Sequence, residues 1–252
     1  MSLFEARDLT VSFGGIHAVR DLSFDVEEGE VFSIIGPNGA GKTTVFNLIS
    51  RFYDVDAGTM TFGGEDITRL PVHRVAQRGI ARTFQNTELF EHETVLKNLL
   101  IGRHVHRRTM LAEDLFFLPR VRRQDLAFRE KVEDVIDLLD LQSYREQTIN
   151  GLPYGVRKMV EVARALCIEP KLLLLDEPSS GLNPEETEDL SFWIEDISED
   201  LGVTIIMVEH DMNLVTRMSD RVLAMADGLE LAVGEPREIQ EHPAVLRAYL
   251  GD

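Results

Sequence analysis

Apolar positions in the first part of the chain follow two different periods. Residues 3–13 and 18–26 alternate apolar and polar side chains on either side of two glycines, which predicts two short strands joined by a tight turn. Residues 31–35 are mostly apolar, as in a strand that is buried on both faces, and residues 43–51 then show helical spacing. The pattern predicts a small antiparallel β region followed by the first strand and helix of an α/β core.

Between residues 86 and 156 the pattern changes, because no run of residues there indicates a buried strand. Residues 94–103 and 128–139 instead place apolar side chains on one face of a helix. Strands and helices alternate again afterwards: strands are predicted at 172–175, 203–208, 221–225 and 229–233, and helices at 157–167 and 185–200. We therefore expect an α/β fold with a mostly parallel sheet, an N-terminal antiparallel β subdomain and a helical insert subdomain. The chain would form one domain, with a core of residues 1–85 and 157–252 and an insert of residues 86–156.

Composition and charge exclude several classes of protein. The 252 residues are 44% hydrophobic and 28% charged, which is enough apolar material for a core. Acidic residues exceed basic ones, 26 − 44 = −18, so the field of the whole molecule repels DNA and RNA, and we expect no nucleic-acid partner. A single cysteine, Cys167, excludes an intramolecular disulfide and a multi-cysteine zinc site. No apolar run approaches the ~18 residues of a membrane span, and the start MSLFEARDL lacks a secretory signal pattern, so we expect an intracellular protein.

The segment Gly36–Thr43 has the spacing G-x-x-x-x-G-K-T, which is typical of a phosphate-binding loop. Glycines let the backbone wrap with its N–H groups pointing inward, Lys42 supplies a cation for the β- and γ-phosphates, and Thr43 offers a hydroxyl to Mg²⁺. The loop follows a buried strand and opens a helix, whose positive end would face the phosphates. We call Gly36–Thr43 the phosphate loop.

A second candidate site follows the apolar run at residues 172–175, which ends in two carboxylates. Asp176 is positioned to hold Mg²⁺, directly or through water. Glu177 is positioned to polarise a water molecule for in-line attack on the γ-phosphate. Together with the phosphate loop, the pair predicts a nucleotide-hydrolysing site.

Five further segments follow one another in a distinctive order. Phe13 precedes the phosphate loop, Gln85 follows a predicted strand, Leu152–Val156 precedes a helix, Ser180–Asn183 follows the two carboxylates, and His210 follows a buried strand. Singly, each has an ordinary explanation: a core aromatic, a surface glutamine, a turn, or a capping or solvated histidine. In this order around the two sites above, they make the chain resemble the ATP-binding cassette (ABC) ATPases over essentially its whole length.

The resemblance implies a role for each of these residues. Phe13 would stack on adenine, Leu152–Val156 would be the signature motif, Ser180–Asn183 the D-loop and His210 the switch histidine that positions the γ-phosphate. The implied nucleotide-binding residues are Phe13, Asn38, Gly39, Ala40, Gly41, Lys42, Thr43, Thr44, Tyr154 and Gly155. The implied Mg²⁺ ligands are Thr43, Gln85 and Asp176, and the implied catalytic residues are Glu177, His210 and Gln85.

The signature motif departs from the family's usual Leu-Ser-Gly-Gly-Gln. Pro153 replaces the serine, Tyr154 a glycine and Val156 the glutamine, so the serine hydroxyl that would contact the γ-phosphate is absent and Pro153 has no N–H. Gly155 and the N-terminus of the following helix remain as an anion site. Asn183 also replaces the aspartate that is usual in the D-loop.

Several segments narrow the resemblance to one branch of the family. They are the Leu-Pro-Tyr-Gly form of the signature, GIARTFQ at residues 79–85, EHDM at 209–212 and AYLG at 248–251. Together they resemble the larger ATP-binding subunit of branched-chain amino-acid importers. Urea importers and the lipopolysaccharide-export ATPase are near relatives, so other cargoes stay open.

The resemblance also implies partners. Two cassettes, alike or different, would sandwich two ATP molecules, each between one subunit's phosphate loop and the other's Gly155 region. Integral-membrane permease subunits, and indirectly a substrate-binding protein, would complete an importer at the cytoplasmic face of the membrane. The alternatives are a soluble ABC ATPase of the iron–sulfur assembly type and a regulatory module that binds ATP without hydrolysing it. A basic cluster in the insert (Arg103, His104, His106, Arg107 and Arg108) is either a solvated face or a contact with membrane or permease.

Overall fold

A computed structural model describes residues 2–83, 89–107 and 119–250. The chain forms two compact units, one of Met1–Gln85 with Lys171–Asp252 and one of Asn86–Pro170. The sequence pattern assigns residues 157–170 to the α/β core, whereas in the structure they belong to the second unit. The reason is that the helix over residues 154–166 packs closely against another helix of the insert. The two compact units thus divide after Pro170, 14 residues beyond the expected end of the insert at residue 156.

The strands that the structure describes in the first unit form two β-sheets. These strands are β1 (Ser2–Phe13), β2 (Ile16–Glu27), β3 (Val31–Ile35), β4 (Ala57–Phe62), β5 (Glu65–Asp66), β6 (Ile80–Arg82), β7 (Leu172–Asp176), β8 (Thr204–Val208), β9 (Arg221–Ala226) and β10 (Leu229–Gly234). One sheet has the order β2-β1-β4-β5 and is antiparallel throughout. The other has the order β10-β9-β3-β8-β7-β6 and is parallel except for β10. The mostly parallel sheet and the N-terminal antiparallel region are thereby confirmed.

Strand β3 lies inside the parallel sheet, between β8 and β9, with all five residues buried. Val31 pairs with Ile205 on one side and Phe32 with Arg221 on the other. Burial on both faces explains why this run is continuous rather than alternating. The carboxyl ends of parallel strands share one edge of the sheet, so the segments that follow β3, β7 and β8 emerge side by side.

The helices are α1 (Lys42–Ile49), α2 (Val72–Gln77), α3 (Val95–Gly102), α4 (Pro119–Leu138), α5 (Tyr154–Leu166), α6 (Pro184–Glu199), α7 (Met212–Met218), α8 (Pro236–Glu241) and α9 (Pro243–Leu250). Helix α6 begins with a capping box: the Asn183 side chain accepts the Glu186 N–H at 3.0 Å, and the Glu186 carboxylate accepts the Asn183 N–H at 2.9 Å. Asparagine at this position is therefore a helix cap. None of the helices in the described part of the chain combines the length and apolar character that crossing a membrane requires.

The second unit is helical in its described parts and contains α3, α4 and α5. Its structure corrects the expected basic cluster, because Arg103 is buried rather than part of a charged face. The Arg103 guanidinium donates to the Cys167 carbonyl at 2.8 Å, pairs with Glu169 at 2.9 Å and lies over the Phe128 ring. A buried arginine needs such partners to offset the loss of water, so Arg103 stabilises the packing inside this unit. Arg108 lies outside the described residues.

Candidate functional site

The phosphate loop joins β3 to α1 and needs glycine at two points. Gly36 has φ = +154°, and a Cβ there would lie 2.2 Å from the Met225 carbonyl oxygen on β9. Gly41 has φ = +100°, and a Cβ there would lie 2.5 Å from the Ala18 carbonyl oxygen on β2. Backbone atoms cannot yield as a flexible side chain would, so both positions exclude other residues. The loop is therefore pressed against its neighbours at both ends.

Helix α1 presents a free N-terminus to this loop. Its N-cap is Gly41, no side chain caps the first turn, and that turn carries no acidic residue. The first N–H groups and the positive end of the helix dipole are thus available to an anion. Thr43, Asn38 and Gly39 are exposed, Thr44 is half-buried, and Ala40 is buried. The loop fits a phosphate group.

Lys42 is held inside the loop. Its Nζ donates to the carbonyl oxygens of Gly36 at 2.7 Å and Pro37 at 3.1 Å. Burial lowers the pKa of the Lys42 ammonium, and the negative charges of Glu177 and Asp176 oppose that effect. The cation thus lies within the field of both carboxylates. This places the phosphate loop and the acidic end of β7 in one site.

Asp176, at the end of β7, is buried and paired with a residue that sequence reasoning missed. Its Oδ2 accepts from the Arg82 guanidinium at 2.8 Å, and Arg82 also donates to Asn47 Oδ1 at 2.7 Å and Ser50 Oγ at 3.0 Å. The available signal was an arginine at the end of a buried strand, since arginine is seldom buried without a partner. Asp176 Oδ1 is buried and has no hydrogen-bond donor among the described residues. That oxygen is available to a cation, so Asp176 fits the expected Mg²⁺ role.

The described residues contain no cluster of three or more His, Cys, Asp or Glu side chains that could hold a metal ion by themselves. Mg²⁺ is typically bound by one or two protein carboxylates together with substrate phosphates and water. A single free carboxylate oxygen of Asp176 and the exposed hydroxyl of Thr43 suit that mode of binding. The protein's own ligand set is therefore one that a nucleotide would complete.

Glu177 follows Asp176 with a backbone that side chains seldom adopt. Its φ is +49°, in the left-handed region, where a non-glycine residue costs roughly 1–3 kcal/mol. Its N–H donates to the Val208 carbonyl at 2.9 Å, which holds the strained turn against the end of β8. The turn directs the chain away from the sheet immediately after the strand. Such strain is typical of residues held for a function.

His210 and Glu177 contact each other directly. His210 Nε2 and Glu177 Oε1 are 2.7 Å apart, and the side chains are 40% and 17% exposed. At this distance the imidazole and the carboxylate form a hydrogen bond, so two groups of the kinds that transfer protons in active sites lie side by side. The two residues follow β7 and β8, which are neighbours in the sheet.

The other expected site residues have different locations. Phe13 is exposed and meets the Tyr53 ring edge-on, with centroids 5.0 Å apart, so it is not a core residue. Gln85 lies outside the described residues. Tyr154 and Gly155 form the first turn of α5 in the second unit, where Tyr154 is exposed and Gly155 is buried. A further functional candidate, Glu209, was not expected, and its contacts are described below.

Comparison with known proteins agrees with this geometry. The profile of the ABC transporter family matches residues 19–180, and that of branched-chain amino acid ATP-binding cassette transporters matches residues 231–252. The high-affinity branched-chain amino acid transport ATP-binding protein BraF of Pseudomonas aeruginosa is 40% identical, covering 99% of this chain and 98% of BraF. LivG of Salmonella typhimurium, which has the same description, is 39% identical over 99% of this chain and 98% of its own length. A solved ATP-binding cassette of an ABC transporter in its ADP conformation superposes with a TM-score of 0.86, at 29% identity over 100% of both chains.

A glycine loop around a buried lysine, beside two carboxylates at the end of a parallel strand, defines a P-loop nucleotide-binding protein. With matches of this extent, the chain belongs to the ABC transporter family. It is an ATP-binding cassette, and its activity is ATP hydrolysis coupled to transport.

Proposed function

We propose that this chain is the ATP-hydrolysing subunit of an importer for branched-chain amino acids. The observation that carries the hydrolytic part is the 2.7 Å contact between His210 and Glu177. The negative charge of Glu177 also acts on Lys42, which connects this pair to the phosphate loop. The cargo is supported by the names of the relatives and by the match of residues 231–252 to a profile of branched-chain amino acid cassettes.

In this proposal the phosphate loop binds the nucleotide. The N–H groups of Asn38, Gly39, Ala40, Gly41, Lys42, Thr43 and Thr44 surround the phosphates. Lys42 leaves its two carbonyl acceptors and balances the charge of the β- and γ-phosphates. Phe13 stacks on the adenine through its exposed ring.

Hydrolysis then depends on Glu177 and His210. Glu177 accepts a proton from a water molecule as its oxygen attacks the γ-phosphorus, and the bond from that phosphorus to the bridging oxygen of ADP breaks. His210 Nε2 leaves Glu177 as that carboxylate takes the proton, and donates toward the developing negative charge. Gln85 is proposed to orient the same water. The products are ADP and phosphate, with the water's second proton retained on the phosphate.

Thr43, Asp176 and Gln85 are the residues that would hold Mg²⁺. When bound, Mg²⁺ supplies positive charge at the β- and γ-phosphate oxygens. Arg82 holds the Asp176 carboxylate in place through its hydrogen bond to Oδ2.

The partners belong to the proposal as well. A second cassette, identical or different, contributes the N-terminus of its α5 with Tyr154 and Gly155 to the nucleotide bound here. Permease subunits hold the pair at the cytoplasmic face of the membrane, and a substrate-binding protein delivers the cargo to them. No nucleic acid takes part, because the chain's net charge of −18 disfavours it.

The test compares variants introduced at the chromosomal gene of the source organism. Glu177→Gln should leave ATP binding intact but slow hydrolysis by at least about a hundredfold, since the proton acceptor is lost. Uptake of labelled leucine, isoleucine and valine should fall in parallel, while urea uptake stays unchanged. Lys42→Ala should weaken nucleotide affinity itself, roughly tenfold to a hundredfold for one lost charged contact.

The matched control is Glu199→Gln, an exposed glutamate at the end of α6, which should leave hydrolysis and uptake unchanged. Full hydrolysis in the Glu177→Gln protein would contradict the catalytic assignment. If hydrolysis is lost while the uptake of all three amino acids is unchanged, the chain is still an ATPase, but branched-chain amino acids are not its cargo.

A further inference from the structure

Glu209 is a buried carboxylate with an unusual set of contacts. It is 1% exposed and directly precedes His210. Its Oε1 accepts the Ser179 N–H at 2.8 Å, and its Oε2 accepts the Ser179 hydroxyl at 2.9 Å and the His210 N–H at 3.0 Å. All three donors are uncharged, and they come from two different loops. The carboxylate thus joins the loop after β7 to the loop after β8.

These contacts close a ring around the proposed catalytic pair. Glu177 is joined to Ser179 through the chain, Ser179 to Glu209 by two hydrogen bonds, and Glu209 to His210 through the chain and a third bond. His210 Nε2 returns to Glu177 Oε1 at 2.7 Å. The Ser180 N–H also donates to the Glu177 carbonyl at 3.1 Å, which tightens the turn that carries the catalytic carboxylate. The ring leaves the two loops little freedom to move apart.

We propose that Glu209 is a positioning residue, which fixes His210 against Glu177 by holding the loops after β7 and β8 together. The inference rests on the proposed roles of Glu177 and His210, and it adds a residue that neither binds the nucleotide nor transfers a proton. Glu209 acts on hydrolysis only through the geometry of the other two. A side chain with this role must accept hydrogen bonds, because two of the three groups that bond to it are backbone N–H groups, which only donate.

A glutamine at position 209 has nearly the same volume but cannot satisfy this arrangement. If its amide oxygen faces the Ser179 N–H, its NH₂ group points at the His210 N–H, and two donors oppose each other. If the amide is reversed, the conflict moves to the Ser179 N–H. The Ser179 hydroxyl can rotate to accommodate both orientations, but either one replaces a hydrogen bond to a backbone N–H with a contact between two donors, which loosens the support of His210. Glu209→Gln therefore tests the link without leaving a cavity.

The experiment measures steady-state ATP hydrolysis, the affinity for a fluorescent ATP analogue, and the ¹⁵N resonance of the His210 ring, assigned by its loss in His210→Ala. Glu209→Gln should lower kcat roughly tenfold to a hundredfold, as expected for a lost hydrogen bond to a charged group, with nucleotide affinity within about twofold. The His210 resonance should shift, because its bond to Glu177 is disturbed. Ser179→Ala removes only one of the three bonds and should have a smaller effect in the same direction.

Glu30→Gln is the matched control, because Glu30 is another buried carboxylate of the first unit and accepts from the Glu27 N–H and Arg221. It should leave kcat and the His210 resonance unchanged. Wild-type kcat and an unshifted His210 resonance in Glu209→Gln would overturn the proposal. So would equal losses of kcat and nucleotide affinity with an unshifted resonance, since that pattern indicates general damage. If Glu177→Gln and His210→Ala hydrolyse ATP normally, the proposed function fails. In that case the shift of the His210 ¹⁵N resonance in Glu209→Gln still decides whether Glu209 positions His210.

Discussion

Glu30 shows at the scale of one residue how burial makes stability depend on pH. Its carboxylate is 7% exposed, and burial raises its pKa above the ordinary 4.5, with hydrogen bonding to Glu27 and the charge of Arg221 opposing the effect. Asp220 and Asp25 are near enough to raise it further. The folded protein therefore binds a proton at Glu30 more tightly than the unfolded chain does.

The sign of the resulting pH dependence follows from that difference. As the pH falls from neutral through the raised pKa toward 4.5, protonation of Glu30 favours the folded state. Wild-type protein should thus gain stability relative to Glu30→Gln over this range, and lose it again as the pH rises. Urea unfolding of both proteins at matched pH values gives the difference in the free energy of unfolding. The other carboxyl groups are the same in both proteins, so their contributions cancel in this difference. A difference that does not change with pH would show that Glu30 titrates normally.

Some residues of the candidate site could be predicted from the sequence, and others could not. The phosphate loop and Glu177 were predictable, because their chemistry depends on neighbours within a few positions of the chain. Arg82 and Glu209 were not, because Asp176 and Ser179 lie far from them in sequence and meet them only through strand order. Charged residues beside apolar strands indicate that a partner exists without identifying it.

At the scale of elements, the contact between α3 and α5 is set by one glycine. A Cβ at Gly102 would lie 2.4 Å from the Arg164 carbonyl oxygen and 2.9 Å from Cys167 Cβ. Gly102→Ala should force the helices apart at a cost of about 1–3 kcal/mol, as other overpacked cores do. Cys167 should then become accessible, although in the intact protein its thiol is buried and burial raises its pKa to about 12.

The measurement is the rate at which a disulfide reagent labels Cys167, the chain's single cysteine, under native conditions. Wild-type protein should react very slowly and Gly102→Ala markedly faster, because reaction requires an accessible thiolate. Gly151→Ala is the matched control in the same unit, since a Cβ there meets no atom within 4 Å. Equal labelling rates in Gly102→Ala and wild-type protein would mean that the helices accommodate the methyl group without moving.

The same contact explains where the prediction of elements succeeded and where it did not. Apolar periodicity placed the helix near residues 157–167 and the strand near 172–175 correctly, since both patterns are local. Periodicity could not assign that helix to a unit. An apolar helix face indicates that some other element packs against it, but not which one. The covering element is α3, and the close approach at Gly102 is invisible in the spacing of apolar residues.

At the scale of the whole molecule, charge opposes the association that the proposed function requires. Each chain carries a formal charge of −18, so two cassettes repel one another beyond their interface. Salt screens that repulsion, because the Debye length falls from about 30 Å at 0.01 M to about 3 Å at 1 M. Contacts made through the nucleotide act at short range and are less affected. Nucleotide-dependent dimers should therefore be favoured by moderate salt.

This can be tested with the Glu177→Gln protein, which is expected to bind ATP without consuming it. Its dimer fraction with Mg-ATP, measured by analytical ultracentrifugation, should rise as NaCl increases from about 0.02 M to about 0.5 M. Lys42→Ala should stay monomeric across the same range, which separates nucleotide-dependent dimers from salt-induced aggregation. A dimer fraction that falls with salt would mean that attraction between opposite charges at the interface outweighs the repulsion of the net charges. The association would then depend on local ion pairs, and single charge reversals at the interface would abolish it.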